Sequence, residues 1–247
     1  MLFQFSKKPH RPEHIFEEKG RIGRLSQIRE LVLGAQDGLL VPLGVVSSVA
    51  GAFSNNNIVI VAGIAEALAG GLSMATGVFL SSQAQRQVHI LEIEKEKEAI
   101  NTYPEDEREE LVLVFEKEGL ARNDAETVVK KIATSPKSFF TTMIQKELGI
   151  DPEPPGAPMK DALYVGFSYL VAAAIPIFPY FFMQPQQALI WSILFTLIAL
   201  FVIGILKATV AGLPLLKSGV QVLLIGALSG IGGYVLGSYL PHLLGIK

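Results

Sequence analysis

The chain contains no cysteine. Disulfide scaffolds, zinc ribbons, CxxC redox chemistry and thiol nucleophiles are therefore excluded. Histidine is scarce, with four residues (His10, His14, His89 and His242). None forms HxxxH or ExxH, so the usual zinc-hydrolase and four-helix di-iron signatures are absent. Charge is also thin: 18% of the 247 residues are Asp, Glu, Lys or Arg, against about 25% in an ordinary globular chain. With 21 basic and 23 acidic side chains the net charge is −2. That balance lacks the basic excess a nucleic-acid-binding protein needs, and no nucleic-acid partner is expected.

Half of the residues are hydrophobic and the mean hydropathy is +0.41. The charge that exists is unevenly spread. Residues 162–183, 188–206 and 218–241 carry none. Residues 31–53 are apolar apart from Gln36 and Asp37, and residues 58–80 apart from Glu66. A hydrocarbon layer of ~30 Å is crossed by about 20 apolar residues in a helix, so all five runs are long enough to span. The fold class expected is an all-α, polytopic membrane protein with five transmembrane helices. The stretch before the first run is polar and thirty residues long, too long for a signal-peptide n-region, and no cleavage signal follows; the first span is expected to stay in the mature chain.

Lys and Arg alternate at each crossing. Residues 1–30 hold seven, the 54–57 loop none, residues 83–160 eleven, the 184–187 loop none, and Lys207 and Lys217 flank the next turn. The positive-inside rule then places the N-terminus and residues 83–160 in the cytosol and the C-terminus outside. Four or six spans would break the alternation. The expected organisation is a cytosolic N-terminal segment (1–30), spans one and two (31–82), a cytosolic helical insert (83–160) and spans three to five (161–247). Residues 1–24, polar and basic with Pro9 and Pro12, are expected to be unstructured or to lie on the membrane surface.

The insert carries a net charge of −5. No Gly or Pro interrupts 83–101, so one long helix leaves the second span. Pro104 and Gly119 bracket a helix near 104–118. Asn123 with Glu126 reads as a capping box for a helix ending near Ser135. Ser135-Pro136 opens another, closed by Gly149, and residues 151–158 (DPEPPGAP) form a stiff linker. Helical spacing assigns the core to Leu111, Val114, Phe115, Val128, Ile132, Phe139, Phe140 and Ile144. So little apolar mass is expected to lean on the membrane helices or on a second subunit.

Three features carry chemistry. Asp37 and Glu66 are acids inside spans, each costing ~2.5–3.5 kcal/mol on insertion scales, with no basic residue in any span to pair with them. They read either as hydrogen-bonded groups joining two helices or as stops on a cation or proton pathway. Met74, two turns past Glu66, adds a soft thioether suited to a transition metal. Second, Gly63, Ala67, Gly71 and Ala75, and then Gly226, Gly230, Gly233 and Gly237, are small residues at the spacing that lets helices approach closely in lipid, while Pro42 should bend the first span. Third, glutamates crowd the insert: Glu92, Glu94, Glu96 and Glu98, then five acids and one Arg in 105–110. A Glu/Lys run is ordinarily a solvated face. Glu107 and Glu110, and Met143 and Glu147, share helix faces, and bound cations would relieve the repulsion. Oxygen ligands with one sulfur would fit Fe²⁺ or Mn²⁺.

The first span (LVLGAQDGLLVPLGVVSSVAG) and the second (GIAEALAGGLSMATGVFLSSQAQ) resemble those of the vacuolar iron transporter family, and the resemblance extends from about residue 25 to the C-terminus. It implies a homodimer that moves Fe²⁺, and often Mn²⁺, out of the cytosol in exchange for protons, with Asp37, Glu66 and Met74 lining a path made by both subunits. It implies that the insert binds metal through Glu96, Glu107, Glu110, Met143 and Glu147. One family ligand position falls at Ala99, where neighbouring Glu98 or Glu92 would have to substitute. No prosthetic group and no enzymatic activity are expected; Fe²⁺ or Mn²⁺ is the bound and transported ion. The rival readings are a Mn²⁺-specific exporter, a membrane-anchored iron sensor or oxidase, and a structural membrane protein with an acidic loop. The host membrane would be the plasma (inner) membrane of a prokaryote, which the short N-terminus favours, or the vacuolar membrane of a eukaryote.

Overall fold

The computed structural model describes residues 13–153 and 156–244. The described residues form eight α-helices and no strands: α1 (Glu13–Ala52), α2 (Asn56–Thr102), α3 (Pro104–Lys117), α4 (Arg122–Ile132), α5 (Pro136–Lys146), α6 (Pro158–Ile177), α7 (Pro185–Ala211) and α8 (Leu215–Leu244). Five of them (α1, α2, α6, α7 and α8) are long and apolar enough to cross a membrane. The chain divides into two compact units, 1–78 with 159–247, and 79–158; α2 contributes to both.

In the first unit, small residues set the packing. A Cβ placed on Gly233 would stand 2.5 Å from the Gly44 carbonyl oxygen, and one on Gly237 1.9 Å from that of Ser48. Only glycine lets α8 lie this close to α1. Ser229 Oγ donates to the Leu40 carbonyl across the same seam, at 3.1 Å. The small-residue pattern in the second span packs likewise within the chain: Gly63 meets Ile177 of α6, and Ala75 faces Gly166. α1 makes a further close approach that the stripe did not include, with Gly34 against Val165 and Gly38 against Tyr169 of α6. α1 stays helical through Pro42, whose missing N–H leaves the Gly38 carbonyl without its usual donor. The third span does not continue as one α-helix to residue 183. Pro176 and Pro179 supply no N–H, so the α-helix ends at Ile177 and a 3₁₀ turn covers Phe178–Phe181. Ser192 Oγ donates to the Pro176 carbonyl at 2.6 Å.

Of the two expectations for residues 1–24, the unstructured one fails from residue 13 on, where the chain is helical; residues 1–12 lie outside the described ones.

In the second unit, α2 runs on without a break to Thr102, a single helix of 47 residues. α3 starts on Pro104, and Gly119 takes φ +105°, the left-handed turn that frees the chain from α3. α5 is capped by Ser135, whose Oγ accepts the Ser138 N–H at 3.3 Å. The capping box at Asn123 does not form. α4 begins two residues earlier, from Ala121 with no side-chain cap, and Glu126 instead accepts from Arg122 at 3.0 Å. The core consists of Leu111, Val112, Ala125, Val129, Phe139 and Met143, with Ile100, Phe115, Leu120 and Ile132 packed against it; Ile144 is also fully buried. Val112 and Val129 are buried, whereas the expected Val114, Val128 and Phe140 are only half-buried. The inward stripe of α4 reads Ala125–Val129–Ile132, which keeps the expected Ile132 and has Val129 in place of Val128. The linker is held to α2 at two points: Arg86 donates to the Gly156 carbonyl at 3.2 Å, and His89 Nε2 lies 2.7 Å from the Asp151 carbonyl oxygen.

Candidate functional site

Within the first unit, the half-buried Glu66 of α2 is met by Tyr169 of α6. The Tyr169 hydroxyl donates to Glu66 Oε1 at 2.5 Å, and Glu66 Oε2 is buried without a hydrogen-bond partner. Asp37 on α1 is half-buried and makes no hydrogen bond or ion pair with another described side chain. It lies within electrostatic reach of Tyr169. Met74 packs against the apolar cluster that contains Tyr169, Ala67 and Ala173. Tyr169 thus has to do with all three of the span residues picked out from the sequence. Nothing in the sequence pattern singled it out, since it lies 103 residues from Glu66 and is one tyrosine among several in apolar runs.

Within the second unit, three helices converge on a carboxylate cluster. Glu96 comes from α2, Glu107 from the first turn of α3, and Glu147 from the end of α5. One carboxylate oxygen of each lies within 4.8 Å of the others. Glu96 and Glu107 are 7% and 6% exposed, and Glu96 Oε1 and Glu107 Oε2 have no hydrogen-bond partner. Burial, then the neighbouring charges of Glu147 and Glu107, push Glu96 up to about 7. Glu107 is also raised, by burial and by Glu110, and Glu147 by burial, Glu110 and Glu107. Glu110 is exposed and belongs to the same electrostatic group.

Several other acids of α3 and its C-terminal cap are paired with cations. Glu105 pairs with Arg108 at 2.6 Å, Glu109 with Arg122 at 2.5 Å, and Glu118 with Lys146 at 2.7 Å. Among the described residues no cation pairs with Glu96, Glu107, Glu110 or Glu147. A buried group of like charges raises each member's affinity for anything positive, proton or metal. Of the proposed substitutes for Ala99, Glu92 pairs with Lys95 at 2.8 Å and Glu98 is exposed; both stand outside the cluster. Met143 lies one turn before Glu147, with its side chain fully buried in the core beneath. Sequence spacing did not mark Glu30, a buried acid near the start of the first span, which Arg29 pairs at 2.6 Å.

Five apolar helices, two of them carrying acids in their spans, make this a multi-pass integral membrane protein. The profile of the VIT family matches residues 28–238, and the chain belongs to that family. It is 31% identical over 210 residues to vacuolar iron transporter 1 of Tulipa gesneriana, covering 85% of each chain. It is 30% identical over 208 residues to the vacuolar iron transporter of Centaurea cyanus, covering 84% of this chain and 85% of the relative. Protein CCC1 of Saccharomyces cerevisiae is 27% identical over 188 residues, 73% of this chain and 56% of the yeast protein.

Proposed function

We propose that this chain is a divalent-metal transporter that exports Fe²⁺, and Mn²⁺ beside it, from the cytosol in exchange for protons. The observation that carries the reading is the Glu96–Glu107–Glu147 cluster: three carboxylates from three helices, two of them buried, with oxygens close together and no counter-charge. Its relatives are named iron transporters, and both ions accept mixed oxygen and sulfur ligands. The distribution of Lys and Arg supports a cytosolic insert and N-terminus.

In this reading Glu96, Glu107, Glu110 and Glu147 capture the ion, with Met143 as a soft ligand, and replace part of its water shell. The ion then meets Glu66 and Asp37 in the spans, where Met74 discriminates against harder ions. Protonation of these carboxylates from the far side releases it, which couples the two fluxes. A second copy of the chain completes the path. Asp37 and Glu66 are only half-buried in one chain, and α2 presents an apolar face with Val61 66%, Leu68 53% and Leu72 70% exposed. Carboxylates left facing lipid would be costly, and a partner helix removes that cost.

The test is uptake by liposomes holding the purified protein, with Fe²⁺, Mn²⁺, Zn²⁺ and Ca²⁺ offered in parallel under imposed pH gradients. Fe²⁺ and Mn²⁺ should accumulate against the direction of proton flow. Fe²⁺ uptake indifferent to the gradient removes proton exchange, and Ca²⁺ uptake equal to that of Fe²⁺ removes the selectivity.

A further inference from the structure

The Tyr169–Glu66 pair is built more tightly than hydrogen-bond satisfaction requires. The Tyr169 side chain is 1% exposed, and its hydroxyl holds one oxygen of Glu66, leaving Oε2 buried and unpartnered. Gly70, one turn after Glu66, forms a notch for the pair. A Cβ there would stand 2.3 Å from the Tyr169 hydroxyl and 2.6 Å from Glu66 Oε1, both inside contact distance. The tyrosine backbone is fixed as well, because a Cβ on Gly38, next to Asp37, would stand 2.3 Å from the Tyr169 carbonyl oxygen. Tyr169 belongs to the buried cluster that includes Ala67 and Ala173, against which Met74 packs.

We propose that Tyr169 is a positioning and selectivity residue: seated in the Gly70 notch, it reserves Glu66 Oε1, so that Glu66 offers a passing ion one oxygen rather than two. This rests on the reading of Glu66 as a stop in the ion path. A single carboxylate oxygen suits a small transition-metal ion of six-fold coordination. Ca²⁺ collects six to eight oxygens and readily takes both from one carboxylate. The hydroxyl thereby turns a carboxylate, by itself a good calcium ligand, into a poor one.

The experiment uses the full chain in liposomes and reads two quantities: the KM and Vmax for Fe²⁺, and the concentration of Ca²⁺ that halves Fe²⁺ uptake. Tyr169→Phe removes one oxygen atom and adds no bulk. The expected result is a rise of about tenfold in KM, from loss of a hydrogen bond to a charged group, with Vmax within about twofold. Ca²⁺ should then compete at least several-fold better. Gly70→Ala, which displaces the hydroxyl from the carboxylate, should give the same signature and serves where Tyr169→Phe does not fold. Wild-type Ca²⁺ competition in whichever variant folds overturns the inference, and so does a KM rise without the calcium change, which marks a structural effect. Glu66→Gln separates the two levels. If it transports like wild type, the reading of Glu66 itself falls. If it is inactive while Tyr169→Phe behaves as wild type, that reading stands and the role of Tyr169 falls.

Discussion

The two units keep acidic side chains out of water by opposite means. In the membrane unit an acid is isolated. Glu66 has one neutral partner, the Tyr169 hydroxyl, and no carboxylate bonded to it. In the insert, acids are gathered. Glu96, Glu107 and Glu147 bring their oxygens together, and the arginines and lysines nearby are spent on other glutamates. Isolation suits a site that an ion must leave, because one carboxylate binds weakly enough to let go. Crowding suits a site that must win an ion from water, since mutual repulsion is relieved only when something positive arrives.

Substitutions can break this contrast. The largest effect is expected from Asp37→Asn or Glu66→Gln, each of which should lower Fe²⁺ transport in liposomes by about a hundredfold or more, leaving binding by the insert intact. Next is the α1–α8 seam, where Gly237→Val must push Ser48 away. A loss of ~3 kcal/mol or failure to fold is expected, visible as lost monodispersity in detergent, whereas a matching change at Gly77, whose Cβ would meet nothing within 4 Å, should be tolerated. Glu107→Gln should weaken Mn²⁺ binding to the full chain about tenfold and yet slow hydrogen exchange in the metal-free insert, because one repelling charge is gone. Isothermal titration and exchange at Leu111 and Val112 read the two opposite signs.

A pH series sharpens the same point. Glu96 is raised to about 7 in the folded chain from its ordinary 4.5. Folded protein therefore binds the proton more tightly than unfolded protein. The contribution to stability is fully present below about 4.5 and is lost as pH rises through about 7. Metal-free insert should thus be more protected from exchange at pH 6 than at pH 8, while Mn²⁺ affinity moves the other way, falling as pH drops below 7 and protons compete. Parallel trends would refute the shared-carboxylate account. The smallest effect is expected from Glu98→Gln, an exposed acid outside the cluster, which should leave Mn²⁺ affinity unchanged.

The spans were legible because a bilayer demands runs without charge, and such runs are visible residue by residue. The insert helices were legible from Pro104, Gly119, Ser135 and Gly149, whose backbone preferences act locally. What could not be read depends on distance in the chain. The Tyr169–Glu66 bond joins residues 103 apart. The gathering of Glu96, Glu107 and Glu147 shows only when three helices fold together, although a family resemblance had named those residues. The capping box failed because α4 already starts at Arg122, which puts Asn123 inside the first turn rather than at its cap, and Glu126 pairs with Arg122 instead.

The seam between α1 and α8 has a practical corollary. It is made where atoms are missing, at Gly44, Gly233 and Gly237, so no larger residue can tighten it. Anyone seeking a hardier version of this protein for purification will gain nothing by filling that contact, and should look instead to outward-facing positions such as Leu228, 73% exposed, where side chains still have freedom to change.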